Sequence, residues 1–145
     1  MHKAYKLSII YFSLFTLLLL VSAFLLFDLK IGFNAHDALS YYLGDPKQYI
    51  PAKTPLGLFK IVLPHIFAFA LLSMVLLHFL AFTKFKDHQA VISFIVAVFV
   101  IQLLEIFTPF LVLYLSTYFI YLKIASFFLY MLSFILLFAL LLYKL

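Results

Sequence analysis

The sequence predicts an all-α integral membrane protein, a four-helix transmembrane bundle with a short interfacial helix in its first loop. Of its 145 residues, 68% are hydrophobic and 10% are charged, whereas a soluble domain has roughly 45–50% apolar and about 25% charged residues. Four apolar runs are each long enough for a span of about 20 residues. A water-soluble enzyme is thereby excluded, and we treat residues 1–145 as one membrane domain.

The first apolar run covers residues 7–27 and follows Lys3 and Lys6. A secretory signal peptide has an apolar core of roughly 7–15 residues and a cleavage site with small residues. This run is longer and is followed directly by Asp28. We therefore expect an uncleaved transmembrane helix.

Residues 28–54 form the extramembrane loop, and a short helix is predicted within it. Asn34 is a typical N-cap with Asp37 three residues later, and Gly44 provides a stop. This helix either lies in the headgroup plane, with Tyr41 and Tyr42 at the interface, or covers the end of the bundle.

Three further spans are predicted at residues 55–82, 89–108 and 118–143. Thr54 and Pro55 form an N-cap followed by a proline in the first turn, and Pro64 should kink this helix beside His65. Pro109 should end or kink the third helix. A straight helix from residue 89 to 123 would be roughly 50 Å long, so we expect a tight turn or an interfacial stretch from about Ser116 and Thr117 to Lys123.

The lysines predict the topology, because cytoplasmic segments carry an excess of positive charge. The predicted spans divide the lysines into two groups on opposite sides of the membrane. The first group is Lys3, Lys6, Lys84, Lys86 and Lys144, and the second is Lys30, Lys47, Lys53, Lys60 and Lys123. The counts are equal, but the first group includes the amino terminus and has only Asp87 near it. We expect a multi-pass protein of the cell inner membrane with both termini in the cytoplasm.

Several classes of chemistry have no basis in this sequence. The chain has no cysteine, which excludes disulfides and thiolate ligands. The net charge of +5 comes from lysines that are scattered singly, so nucleic acid is not an expected partner. No soluble-type catalytic motif is found, and we assign no catalytic residue.

The polar residues inside the predicted spans are the candidate functional residues, because burying them in lipid is costly. Gln102, Glu105 and Thr108 form a stripe on one helix face. Pro109 lacks the N–H that would bond to the Glu105 carbonyl, which adds a free acceptor. At a similar depth, His65 is a candidate partner for Glu105. Such a pair would relay protons, bind a quinone or orient a metal ligand, or else lock two helices together.

His65 and His78 are the candidate cofactor-binding and metal-ligating residues, with haem b as the candidate cofactor. They lie about 20 Å apart along the same helix. The segments Pro64-His65-Ile66-Phe67 and Leu77-His78 resemble the paired-histidine helices of membrane b-type cytochromes. Those families place a second histidine-bearing helix opposite, whereas the other histidines here, His2, His36 and His88, lie outside the predicted spans. Haem would need a symmetric partner, His36, or another subunit.

The whole layout resembles small bacterial four-helix inner-membrane proteins of uncharacterised function that have a histidine-bearing second helix. Three functions follow as hypotheses. The first is an integral membrane subunit for electron or proton transfer at a haem or quinone site. The second is a non-catalytic accessory or assembly subunit of a larger membrane complex, and the third is a small transporter. Besides the lipid bilayer, the expected partners are a second copy of the chain, other membrane subunits, or quinone.

Overall fold

The computed structural model describes residues 3–83 and 87–143, which form five α-helices. They are α1 (Lys3–Lys30), α2 (Ala35–Leu43), α3 (Pro55–Ala81), α4 (Gln89–Tyr114) and α5 (Phe119–Leu142). All except α2 are long and apolar enough to cross a membrane. The predicted fold class is therefore confirmed. Some residues used in the sequence analysis lie outside the described part of the chain, namely His2, Lys84, Lys86 and Lys144.

Helix α5 is the centre of the bundle, because it packs against each of the other four helices. It is also the most buried of the four spans, and α1 is the least buried. The core between them is apolar, with Ile9 from α1, Leu76 from α3, and Phe134 and Leu141 from α5 all at most 1% exposed. These contacts fix the positions of the polar residues on α4 and α5.

Helix α2 covers one end of the bundle, called here the α2 end. As predicted, Asn34 caps this helix, since its side-chain oxygen accepts a hydrogen bond from the His36 N–H at 3.0 Å. Ala38 and Tyr42 are buried against α3, α4 and α5 through a cluster that includes Leu58, Val112 and Ile120. Tyr42 is thus not at the lipid interface but only 2% exposed, which supports the interpretation of α2 as a cover.

The chain after α2 turns back tightly toward α3. Gly44 has a φ of 83° and donates its N–H to the Ser40 carbonyl at 3.0 Å. A Cβ at this position would lie 2.6 Å from the Ala52 nitrogen. The Lys53 N–H then bonds to the Tyr42 carbonyl at 2.9 Å, so the segment that leads back to α3 holds α2 in place.

Helix α3 begins as predicted and continues through its internal proline. The Thr54 hydroxyl accepts a hydrogen bond from the Gly57 N–H at 3.1 Å, with Pro55 in the first turn. Pro64 lies inside the helix. At the other end of the bundle, the Tyr5 hydroxyl donates to the Phe79 carbonyl at 3.0 Å and ties the start of α1 to the end of α3.

The prediction that the third helix ends at Pro109 is wrong. Helix α4 continues through Pro109 to Tyr114 and ends where the N–H groups of Leu115 and Ser116 both bond to the Leu111 carbonyl. A helix can pass through a proline when other donors satisfy the freed carbonyl. The predicted interfacial position of Lys123 is also wrong, because Lys123 lies inside α5 and is 6% exposed.

Candidate functional site

Glu105 on α4 and Lys123 on α5 form a buried ion pair. The Lys123 Nζ donates to the Glu105 Oε1, and the two residues are only 6–7% exposed. The Ser126 hydroxyl, one turn after Lys123, donates to the other carboxylate oxygen at 2.7 Å. Both oxygens of the carboxylate are therefore bonded within the protein, as a charge buried in a membrane span requires.

The backbone carbonyl of Glu105 belongs to the same site. Pro109, four residues later, has no N–H to bond to it, and the sequence analysis predicted a free acceptor here. That prediction is confirmed: the Lys123 Nζ lies 3.1 Å from this oxygen and the Thr108 hydroxyl lies 3.4 Å from it. Lys123 thus bonds to two different acceptors of one residue.

These residues are part of a longer polar seam between α4 and α5. Further along the seam, the Gln102 amide donates to the Ser73 hydroxyl of α3 at 2.7 Å. All members of the seam are buried: Ser73 on α3, Gln102, Glu105 and Thr108 on α4, and Lys123, Ser126, Tyr130 and Ser133 on α5. The spacing along α5 puts its members on one helix face. The seam is a set of buried hydroxyl, amide and charged groups inside an otherwise apolar bundle.

Tyr42 of α2 is the titratable group that closes the α2 end of the seam. Burial raises the pKa of Tyr42 well above its ordinary value, and the negative charges of Glu105 and then Tyr41 raise it further. The phenol therefore stays neutral. Tyr42 and Ala38, which is 0% exposed, are buried in the cluster at the α2 end of the bundle. Helix α2 thus covers the end of the bundle nearest the charge pair.

The two predicted cofactor histidines lie outside the polar seam. Both side chains are exposed on the outer surface of α3. The His65 Nδ1 lies 2.6 Å from the Ile61 carbonyl, and since a carbonyl only accepts, this nitrogen carries the proton and Nε2 is left unprotonated in the neutral ring. Among the described residues, no group of three or more His, Cys, Asp or Glu side chains is placed to hold a metal ion.

The structure therefore pairs Glu105 with Lys123 and Ser126 rather than with His65. The predicted stripe of Gln102, Glu105 and Thr108 does lie together on the inner face of α4. Sequence reasoning missed the α5 half of the site because Lys123 was assigned to the interface. The available signal was the i, i+3 spacing of Lys123 and Ser126 within an apolar run.

The comparisons with known proteins identify a family. A family model described as a transmembrane helical domain, Aq_1264_TM, matches residues 32–145. No curated protein matches the chain, and no solved structure matches it. The matched region contains α2 to α5 and the whole polar seam. The chain belongs to the Aq_1264_TM family of transmembrane helical domains.

Proposed function

We propose that this protein is a multi-pass membrane subunit that transfers protons at the Glu105–Lys123 pair. The observation that carries the proposal is the burial of a carboxylate and an ammonium between two apolar spans, bonded to each other and to Ser126. Ionisable residues inside membrane spans are rare and costly, and they commonly mark proton relays and ion pathways. A hydrophobic contact would join α4 and α5 without that cost.

The chemistry of the pair suits the reversible uptake of a proton. In the resting state the carboxylate accepts from the ammonium, and the two charges cancel. A proton that arrives at the carboxylate converts it to the neutral acid, and release of that proton restores the ion pair. Around the ion pair, Ser126 donates to the carboxylate and the Glu105 carbonyl accepts from the ammonium, so both side chains are held in position. No covalent bond other than O–H is formed or broken.

The topology in the membrane is part of the same proposal. We infer that the protein lies in the inner membrane with both termini in the cytoplasm, so that α2 and the Glu105 end of the seam face the opposite side. The support is the positive charge of Lys3 and Lys6 beside the first span. Protons would then enter or leave the pair near α2, on the side away from the cytoplasm.

Glu105 is the only glutamate in the chain, which makes a direct test available. Protein labelled with ¹³Cδ-glutamate and placed in lipid bilayers should give one carboxyl resonance in solid-state NMR. We expect acidification of the bilayer sample to convert the resonance from carboxylate to acid, because the proposal requires Glu105 to take up the transferred proton. A resonance that stays a carboxylate at every pH at which the protein moves protons refutes the proposal.

Proton movement itself is measured in vesicles with an internal pH-sensitive dye. E105Q should abolish protein-dependent proton flux. D28N is the matched control, because Asp28 is an exposed carboxylate in the last turn of α1, and it should leave the flux unchanged. Equal fluxes in wild type and E105Q would instead favour a non-catalytic accessory or assembly subunit, with the pair as a structural lock between helices.

A second candidate function is electron transfer at the outer face of α3, and His65 favours it. Its Nδ1–H bond to the Ile61 carbonyl fixes the ring and leaves Nε2 free for a ligand, which is the arrangement of metal-ligating imidazoles. Haem b held here by His65 or His78 would need its other ligand from a second copy or another subunit, and a quinone would hydrogen-bond to the same nitrogen. A visible absorption spectrum of membranes tests the haem, and H65A should remove its Soret band.

A further inference from the structure

Lys123 is bonded to two acceptors that respond differently to protonation of Glu105. One is the carboxylate, which loses its negative charge when it takes up a proton. The other is the backbone carbonyl at 3.1 Å, which does not titrate. This carbonyl is free only because residue 109 is a proline inside α4.

We propose that Pro109 is a positioning residue for the proton-transfer site, because the carbonyl that it frees retains the Lys123 ammonium when Glu105 is protonated. The inference rests on the proposed function and adds a mechanism to it. Without this acceptor, each protonation of Glu105 would leave the ammonium of the buried Lys123 without a strong hydrogen-bond acceptor. A charged donor bonded to a fixed carbonyl keeps a charge-assisted hydrogen bond in both states.

The surrounding groups leave this role to the carbonyl. Thr108 also donates to it, at 3.4 Å, so it competes as a donor and offers no negative charge. Ser126 is bonded to the far carboxylate oxygen and keeps the acid oriented. Within residues 3–83 and 87–143, Tyr42 of α2 and Tyr130 of α5 also interact electrostatically with Glu105. Both phenols are neutral and cannot replace the lost charge.

The first test follows Lys123 in the unaltered protein. Glutamate is labelled with ¹³C at both the backbone carbonyl and Cδ, which marks Glu105 alone, and lysine is labelled with ¹⁵N at Nζ. Dipolar recoupling in bilayers should detect Nζ close to both carbons at high pH. After acidification, the contact to the carbonyl carbon should persist while the contact to Cδ weakens. Loss of the carbonyl contact on acidification overturns the inference.

The second test restores the missing N–H. In P109A the new N–H bonds to the Glu105 carbonyl. Protonation of the Glu105 carboxylate would then leave the Lys123 ammonium without a strong acceptor. The midpoint of the Glu105 titration should therefore move to lower pH by roughly one unit, a tenfold change in proton affinity. P64A is the matched control, because it restores an N–H within α3, and its midpoint should equal that of wild type.

The outcomes separate the two proposals. If Glu105 titrates in wild type but P109A has an unchanged or higher midpoint, the role of Pro109 is wrong and the proton-transfer proposal stands. If Glu105 never titrates, both are wrong. If P109A does not fold, the labelling experiment on the unaltered protein still decides the inference.

Discussion

The free energy that links Glu105 to Lys123 is open to a double-mutant cycle. K123M removes the partner of one carboxylate oxygen and leaves Glu105 buried with Ser126 as its remaining side-chain donor. E105M leaves the ammonium with only the backbone carbonyl. Breaking a buried pair by removing one partner costs about 3–5 kcal/mol. We expect each single variant to lose stability in that range.

The double variant E105M/K123M should lose far less free energy of unfolding than the sum of the losses in the two single variants. Both replacements are apolar and similar in volume, so no charge is left unpaired. The polar neighbours also keep partners, because Ser126 still reaches the backbone carbonyl of residue 123 at 3.0 Å and Thr108 still reaches that of residue 105. A buried pair replaced in this way is often neutral or stabilising by about 1–4 kcal/mol.

The assay is reversible unfolding in mixed micelles by titration with a denaturing detergent, which gives the free energy of unfolding of each variant. With a loss of about 3–5 kcal/mol for each single change and none for the double change, the coupling energy should be about 6 kcal/mol or more. D28N and K30M provide the control cycle, because Asp28 and Lys30 are exposed and two residues apart on α1, where side chains do not face each other. If the loss of stability in the double variant equals the sum of the two single losses to within about 0.5 kcal/mol, the energetic reasoning is refuted.

Three further changes test neighbouring parts of the structure. S73A removes the acceptor of the Gln102 amide and should cost about 1 kcal/mol in the same unfolding assay. In wild type, stability should fall as the pH rises above about 10, because unfolded tyrosine ionises there while burial raises the pKa of Tyr42 in the fold; in Y42F the loss should be smaller. G44A puts a Cβ 2.6 Å from the Ala52 nitrogen at a φ of 83°, and faster amide hydrogen exchange throughout α2 should follow.

The fold was predictable because single helices carry its signals. Each span is an apolar run of sufficient length, and the caps at Asn34 and Thr54 depend on residues within one turn. Half of the site was predictable for the same reason, since Gln102, Glu105 and Thr108 lie on one face of one helix. The acceptor freed by Pro109 is likewise a local consequence of the proline ring.

The other half of the site depends on the position of the turn between α4 and α5. The sequence predicts that position less well than it predicts the helices themselves. Because a straight helix through residue 123 is too long for the membrane, a turn was expected near Ser116 and Thr117. The error was to extend the interfacial stretch as far as Lys123. The turn lies between Tyr114 and Phe119, so Lys123 is already one turn inside α5. That shift moves a lysine from the expected water side to the buried side of the bundle.

Charge balance would have found the partner that periodicity missed. A lysine near the end of a span is expected to extend its ammonium toward the headgroups, which agrees with the interfacial assignment made from helix length. A carboxylate within a neighbouring span reverses it, because an unpaired Glu105 would cost more than keeping the ammonium inside. Lys123 begins a stripe on α5 that continues through Ser126, Tyr130 and Ser133, all buried. An acidic residue in one span therefore requires a search for a cation on the same side of the next span, and here that cation is Lys123.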